Sequence, residues 1–133
     1  MSADVAYLDT SAVVKLLVRE GETAALRRWL RRRPRRVASA LLSVELLRAA
    51  RRAGEPRLVV EARRLLSGIT LVDVHGAVLD RAGELEPGQL RTLDAIHLAT
   101  ALSLGAELDA VVTYDRRMAD AAALVGLAIA APS

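Results

Sequence analysis

The feature that most constrains this chain is a regular alternation of short apolar runs with longer helical stretches. The runs at Val5–Asp9, Arg36–Ser39, Ile69–Val74, Ala110–Thr113 and Leu127–Ala130 are too short to be helices and are mostly apolar on both faces, the pattern of strands buried inside a parallel sheet. Between them, residues 10–18, 21–33, 41–53, 56–67, 76–86, 92–104 and 116–125 read as helices, several followed by a glycine in the stop position: Gly54, Gly68, Gly105 and Gly126. The alternation predicts an α/β fold, with a central, mostly parallel five-stranded sheet flanked by helices and joined by right-handed crossovers. No repeat, low-complexity stretch or Pro/Gly-rich linker interrupts it, so residues 1–133 are expected to form a single domain.

Composition removes several classes of function. With no cysteine, the chain cannot build a disulfide scaffold, an iron–sulfur site, a thiolate zinc site or a cysteine nucleophile. Its aromatic residues are Tyr7, Trp29 and Tyr114, too few for a platform that stacks successive bases of a single strand. The longest charge-free stretch, residues 121–133, is 13 residues, short of the ~18–20 needed to span a bilayer. The N-terminus has an acid at Asp4 and no basic region leading into an apolar run, so no membrane association is expected and the expected compartment is the cytoplasm.

Charge is unevenly distributed. Nineteen basic residues against sixteen acids leave only +3 overall, yet residues 19–64 hold fourteen arginines and five acids, while residues 65–133 carry a net −5. The densest part, RRWLRRRPRR, places Arg27, Arg28, Arg31, Arg32, Arg33, Arg35 and Arg36 around Trp29. Such a segment suits a polyanion or an acidic protein, and it equally suits a solvated helix face in a chain that uses eighteen arginines and one lysine.

In open parallel sheets, ligands bind beyond the carboxyl ends of the strands. Asp9 ends the first strand in VAYLDTSA and Asp115 follows the fourth in AVVTYDRRM. Each also precedes a helix, where aspartate is a favoured N-cap, so either one alone reads as a cap. Glu45, in ASALLSVELLRAARR, has Leu41, Leu42 and Ala49 as helical neighbours and interrupts an apolar face. An acid there requires a raised pKa, an ion pair such as one with Arg48, or a metal. Asp94 stands in the first turn of the very apolar RTLDAIHLATALSLG, a helix that Thr92 is placed to cap. His97, one turn after Asp94, fits a partly buried histidine beside an acid better than a general base or metal ligand, and His75 has no partner that the sequence identifies. Neither histidine has a recognised zinc spacing.

The frames around the acids carry a resemblance. YLDTSA near the N-terminus, Ser43-Val44-Glu45 preceded by Leu42, LRTLDAIHLATAL, and VVTYDRRMADAAALVGL occur in that order. The chain resembles a PIN-domain ribonuclease and is most similar to VapC-type toxins of bacterial toxin–antitoxin pairs, over about residues 5–130. Residues 19–36 are the least family-like part. The resemblance implies an acidic cluster of Asp9, Glu45, Asp94 and Asp115 with Thr113 beside it. It further implies a site for Mg2+ or Mn2+ and an endoribonuclease leaving a 5′-phosphate and a 3′-hydroxyl. Asp9 and Asp94 would ligate directly, with Glu45 and Asp115 completing the set directly or through water. By their position, Thr113, Thr10 and Ser11 can orient waters or a phosphate, and Arg116 and Arg117, directly after Asp115, fit RNA phosphate contacts and a solvated helix turn equally well. The implied partners are an RNA substrate, a VapB-like antitoxin and a second copy of the chain.

Elementary chemistry agrees with that set. Four converging carboxylates raise one another's pKa unless a cation compensates them, and an all-oxygen set suits magnesium or manganese better than zinc. A haloacid-dehalogenase phosphatase would need an aspartate where Ser11 stands, and a receiver domain would need paired acids after the first strand and a lysine after the last. The chain supplies neither, its only lysine being Lys15. A catalytically silent PIN-fold module that binds RNA or a protein is the alternative.

Overall fold

In the computed structural model, residues 3–133 are described; the first two residues of the expected domain lie outside them. The chain runs β1 (Val5–Leu8), α1 (Thr10–Leu17), α2 (Thr23–Arg31), β2 (Arg35–Ser39), α3 (Leu41–Arg52), α4 (Pro56–Ser67), β3 (Thr70–Val72), α5 (Gly76–Glu84), α6 (Thr92–Ser103), β4 (Leu108–Val112), α7 (Arg116–Leu124) and β5 (Ile129–Ala130). A 3-10 turn at Gly105–Glu107, not expected from the sequence, leads into β4. The strands form one sheet in the order β3-β2-β1-β4-β5, and every pairing is parallel. Strand β5 is shorter than the apolar run that announced it, because as the sheet edge it pairs with β4 only through Val111↔Ile129 and Val112↔Ala130.

Helix ends follow local chemistry. Gly54 and Gly126, at φ +78° and +82°, take the left-handed conformation that glycine adopts without penalty after α3 and α7. Gly68 occupies the corresponding place after α4, but its φ of −93° is open to any residue, so its expected role as a left-handed stop is not used. Pro56 begins α4, where its missing N–H costs nothing.

Helix α2 is sharply amphipathic. It buries Thr23, Leu26 and Leu30, while Arg27, Arg28, Arg31 and Arg32 stay exposed. With Val13, Leu42 and Leu46 its leucines join the larger core on one side of the sheet, each fully buried leucine contributing roughly 1.5–3 kcal/mol. On the other side α6 is buried at every position from Ala95 to Ala101, since α5, α7 and the sheet enclose it. That enclosure is why its sequence is apolar all round. Among the described residues, no helix is long and apolar enough to cross a membrane.

The order of the strands fixes the site. From β1 the chain moves outward through β2 and β3, then returns to the opposite flank of β1 for β4 and β5. The crossovers therefore diverge between β1 and β4, and the crevice beyond their carboxyl ends is the place such a sheet offers to a ligand.

Candidate active site

Asp9 follows β1 directly, and its N–H extends the ladder by donating to the Val112 carbonyl at 3.0 Å. It occupies the N-cap position of α1 yet makes no side-chain cap bond. Instead Oδ2 accepts from the hydroxyls of Ser11 and Thr113, both at 2.8 Å. Those hydroxyls in turn accept the backbone N–H groups of Tyr114 and Asp115, at 3.0 and 3.1 Å. Each has one proton to give, and both protons point to Asp9. The carboxylate is 5% exposed, and among the described residues its Oδ1 carries no protein hydrogen bond, leaving an oxygen available towards the crevice.

Glu45, in the second turn of α3, does not pair with Arg48. Its Oε1 accepts from Thr10 Oγ1 at 2.9 Å and from His97 Nε2 at 2.6 Å. Histidine 97 is 1% exposed, and its Nδ1 lies 2.7 Å from the hydroxyl of Tyr7. Burial, the largest influence, pushes the Tyr7 phenol far above its ordinary pKa, so the hydroxyl keeps its proton. Its oxygen accepts the Ser39 N–H at 3.1 Å, and with His97 Nδ1 it closes a buried chain of hydrogen bonds that runs from Tyr7 through His97 to Glu45. Burial also raises the Glu45 carboxyl, but the hydrogen bond and field of His97, together with the Thr10 hydroxyl, outweigh it and hold the group below the usual carboxylate value.

Asp94 and Asp115 form the third group. Arg91, the residue before α6, donates from Nε to Asp94 Oδ2 at 2.8 Å and from Nη2 to Asp115 Oδ2 at 2.9 Å. Asp115 also caps α7, its Oδ1 accepting from the Arg117 N–H at 2.9 Å. Thr92, expected to cap α6, lies inside the helix and makes no cap bond; Arg91 holds the N-cap position instead.

All four sequence-predicted acids thus stand at the carboxyl edge of the sheet, on four different elements, with Thr10, Ser11 and Thr113 between them. Their arrangement departs from the expected converging cluster. Among the described residues no three Asp, Glu or His side chains are placed together as a ready metal site, because hydroxyls, His97 and Arg91 engage the carboxylates in three groups. The donor chemistry still fits a hard divalent cation: every acid offers oxygen, no thiolate competes, and a guanidinium already supplies the positive charge that Asp94 and Asp115 require. Arg116 and Arg117 are exposed at the start of α7. Arg117 lines a groove of about 420 Å3 with Arg91, Asp94 and Asp120. Sequence reasoning gave no role to Arg91 and too little to His97. The signal for His97 was its turn-spaced placement after Asp94 in an otherwise apolar helix, whereas its bonds to Tyr7 and Glu45 cross 90 and 52 residues and leave no local trace.

Comparison with known proteins places this geometry in a family. The PIN domain matches residues 6–124. Ribonuclease VapC46 of Mycobacterium tuberculosis is 54% identical over 127 residues, covering 96% of this chain and 97% of that protein. Ribonuclease VapC47 of the same species is 42% identical over 130 residues, covering 95% and 96%. Among solved structures, the sarcin–ricin-loop-cleaving toxin VapC20 of M. tuberculosis superposes with a TM-score of 0.74 at 18% identity, covering 96% of this chain and 99% of that one. A toxin–antitoxin complex from Klebsiella pneumoniae gives 0.73 at 20%, covering 96% and 98%. The two structures share the fold, while the curated relatives share the sequence along nearly its whole length. The chain belongs to the PIN-domain family, as an endoribonuclease of the VapC toxin type.

Proposed function

We propose that residues 1–133 act as one domain that hydrolyses RNA at the crevice between β1 and β4, with Asp9, Glu45, Asp94 and Asp115 holding Mg2+ or Mn2+. The observation that carries this reading is the delivery of these four acids, from four elements, to the edge where the strand order reverses. A cation bound there would polarise the phosphodiester and lower the pKa of an attacking water. The chain's own residues set the stage. Ser11 and Thr113 donate to Asp9 and keep it an acceptor. His97 and Thr10 hold one oxygen of Glu45 and leave the other for the crevice. Arg116 and Arg117 stand beside Asp115, in reach of a phosphate. Hydrolysis joins the water oxygen to phosphorus and breaks the P–O3′ bond, so the products end in a 5′-phosphate and a 3′-hydroxyl.

The partner proposed is a VapB-like antitoxin, in line with the toxin–antitoxin complex among the structural relatives, and the compartment is the cytoplasm. A homodimer would cover Val44 and Val60, which are 61% and 70% exposed on α3 and α4. Light scattering on the free chain should give twice its mass; the monomer mass would remove the dimer. The main test is cleavage of an RNA panel by wild type and Asp94→Asn with magnesium, manganese or chelator, followed by end-group analysis. Metal-dependent cutting that leaves 5′-phosphates and is lost in the variant is expected. Cutting that survives both chelator and the substitution would refute the acidic-site mechanism.

A further inference from the structure

The arginines of residues 27–36 divide into two sets. Arg33, Arg35 and Arg36 have structural work. Arg33 pairs with Asp109 at 2.8 Å and lies over Trp29, 3.7 Å from the ring centroid. Arg35 bridges Asp4 and Glu107. Arg36 donates to the Leu30 and Arg33 carbonyls, and Arg33 to that of Trp29, so the open carbonyls at the end of α2 are already served. Arg28, Arg31 and Arg32 are exposed, and among the described residues none has a carboxylate partner. Arg27 and Arg31, like Arg28 and Arg32, stand four residues apart on the helix, a spacing at which like charges repel. The helix dipole accounts for one or two cations in the last turn, where Arg28 and Arg31 stand, but not for a run of four exposed arginines, which points to a ligand.

These side chains line a groove of about 700 Å3 formed by Arg28, Trp29, Arg31, Arg32, Arg33 and Pro132, with no acidic side chain in its wall. On the other flank of α2 a second groove, about 360 Å3, is lined by Arg27, Arg31, Arg36 and Arg64. Arg31 belongs to both, making a continuous basic strip. The Pro132 carbonyl accepts from the Tyr114 hydroxyl at 2.7 Å, while the Arg33–Asp109 pair and the contacts of Arg35 with Asp4 and Glu107 tie the end of α2 to the edge of the sheet where β2 and β4 begin.

We propose that the α2 arginines, centred on Arg28, Arg31 and Arg32, form a second RNA-binding surface that grips the phosphate backbone of the substrate away from the acidic site. The inference rests on the ribonuclease reading, and electrostatics explains the need for it. Four carboxylates repel a polyanion at the point where it must be cut, and an arginine strip elsewhere on the surface supplies a compensating attraction. Trp29 is covered by Arg33 and cannot stack a base, so the contact reads phosphates and not sequence.

The test is fluorescence anisotropy with a fluorescein-labelled 24-nucleotide stem-loop RNA, on an Asp94→Asn background so that binding is read without cutting. Three proteins are compared: the background, the same chain with Arg28→Gln, Arg31→Gln and Arg32→Gln, and an equal-charge control with Arg48→Gln, Arg51→Gln and Arg52→Gln on α3. At about 0.7 per phosphate contact on single-stranded RNA, the α2 triple should lower the salt slope by about 2, equivalent to roughly twentyfold less loss of affinity between 50 and 200 mM salt. The control should lower it far less, and Lys at the three α2 positions should restore it. An unchanged slope, or an equal change in the control, would overturn the proposal. So would loss of binding to a labelled polyglutamate with none to RNA, which would identify an acidic protein as the ligand. If wild type cuts no RNA, the ribonuclease reading fails separately, because the slope is measured without cleavage.

Discussion

Replacing Tyr7 with Phe tests the buried relay that holds Glu45. The ring stays in its 1%-exposed place beneath the sheet edge, and only the hydroxyl is lost. That hydroxyl accepts the Ser39 N–H at 3.1 Å and shares a hydrogen bond with His97 Nδ1 at 2.7 Å, so its removal strands the Ser39 N–H and His97 Nδ1 away from water. Each such group costs about 1–3 kcal/mol; allowing for relaxation, the expected total is about 2–4 kcal/mol. With an unfolding entropy of about 2.1 cal/mol/K per residue over 133 residues, each kcal/mol lowers Tm by about 3.6 °C. The variant should therefore melt about 7–14 °C below wild type by calorimetry. The relay also fixes the orientation of the His97 ring, and outer-shell partners of this kind typically change activity by about 10–100-fold. RNA cleavage should fall by that range at a temperature where the variant is fully folded. A cycle with His97→Leu adds a second check, since the leucine leaves no stranded Nδ1 and the two single losses should fail to sum by about 1 kcal/mol. A melting point within about 2 °C of wild type, or full additivity, would refute the buried relay.

Asp115 separates capping from catalysis: Asp115→Asn keeps an oxygen for the Arg117 N–H and should retain Tm while losing cleavage, whereas Asp115→Ala should also lose about 1 kcal/mol in urea denaturation. Leu98→Ala empties a 1%-exposed position packed against Met118, Ala121 and Ala122 and should cost about 2–5 kcal/mol by the same assay. Because Glu45 has a lower pKa folded than unfolded, its contribution is complete above the ordinary carboxyl value of 4.5 and is lost as pH falls through the folded value. The Tm gap between wild type and Glu45→Gln should stay constant from pH 7 to about 5 and narrow below about 4.5; a gap that widens in acid would contradict the sign.

Much of the architecture was legible because it depends on local pattern. Runs such as Val5–Leu8 are buried at every residue, and only a strand covered on both faces writes so continuous an apolar signal. The glycines after α3 and α7 are visible for the same reason, since a left-handed backbone excludes most side chains. The weakest boundary was β5, whose two residues are defined by pairing with β4 and not by any composition of their own.

The acids were legible as residues and illegible as partners. Asp9 and Asp115 both precede helices, and aspartate in that place reads as a cap; the structure makes Asp115 one and diverts Asp9 to the hydroxyls of Ser11 and Thr113. Glu45 had Arg48 within a helical turn, yet it faces inward to His97 and Thr10. The sequence by itself determined the layer order, the apolar helix α6 and the basic segment, since each is written in spacing or local composition, while the set of four acids came from the resemblance of the frames around them. Only the tertiary structure decided which side chain meets which: that Arg91 spans Asp94 and Asp115 across 24 residues of chain, and that Tyr7 reaches Glu45 through His97. Those bonds depend on strand order and on how α3 and α6 approach the sheet edge, and long-range geometry of that kind is fixed by packing, not by any window of neighbouring residues.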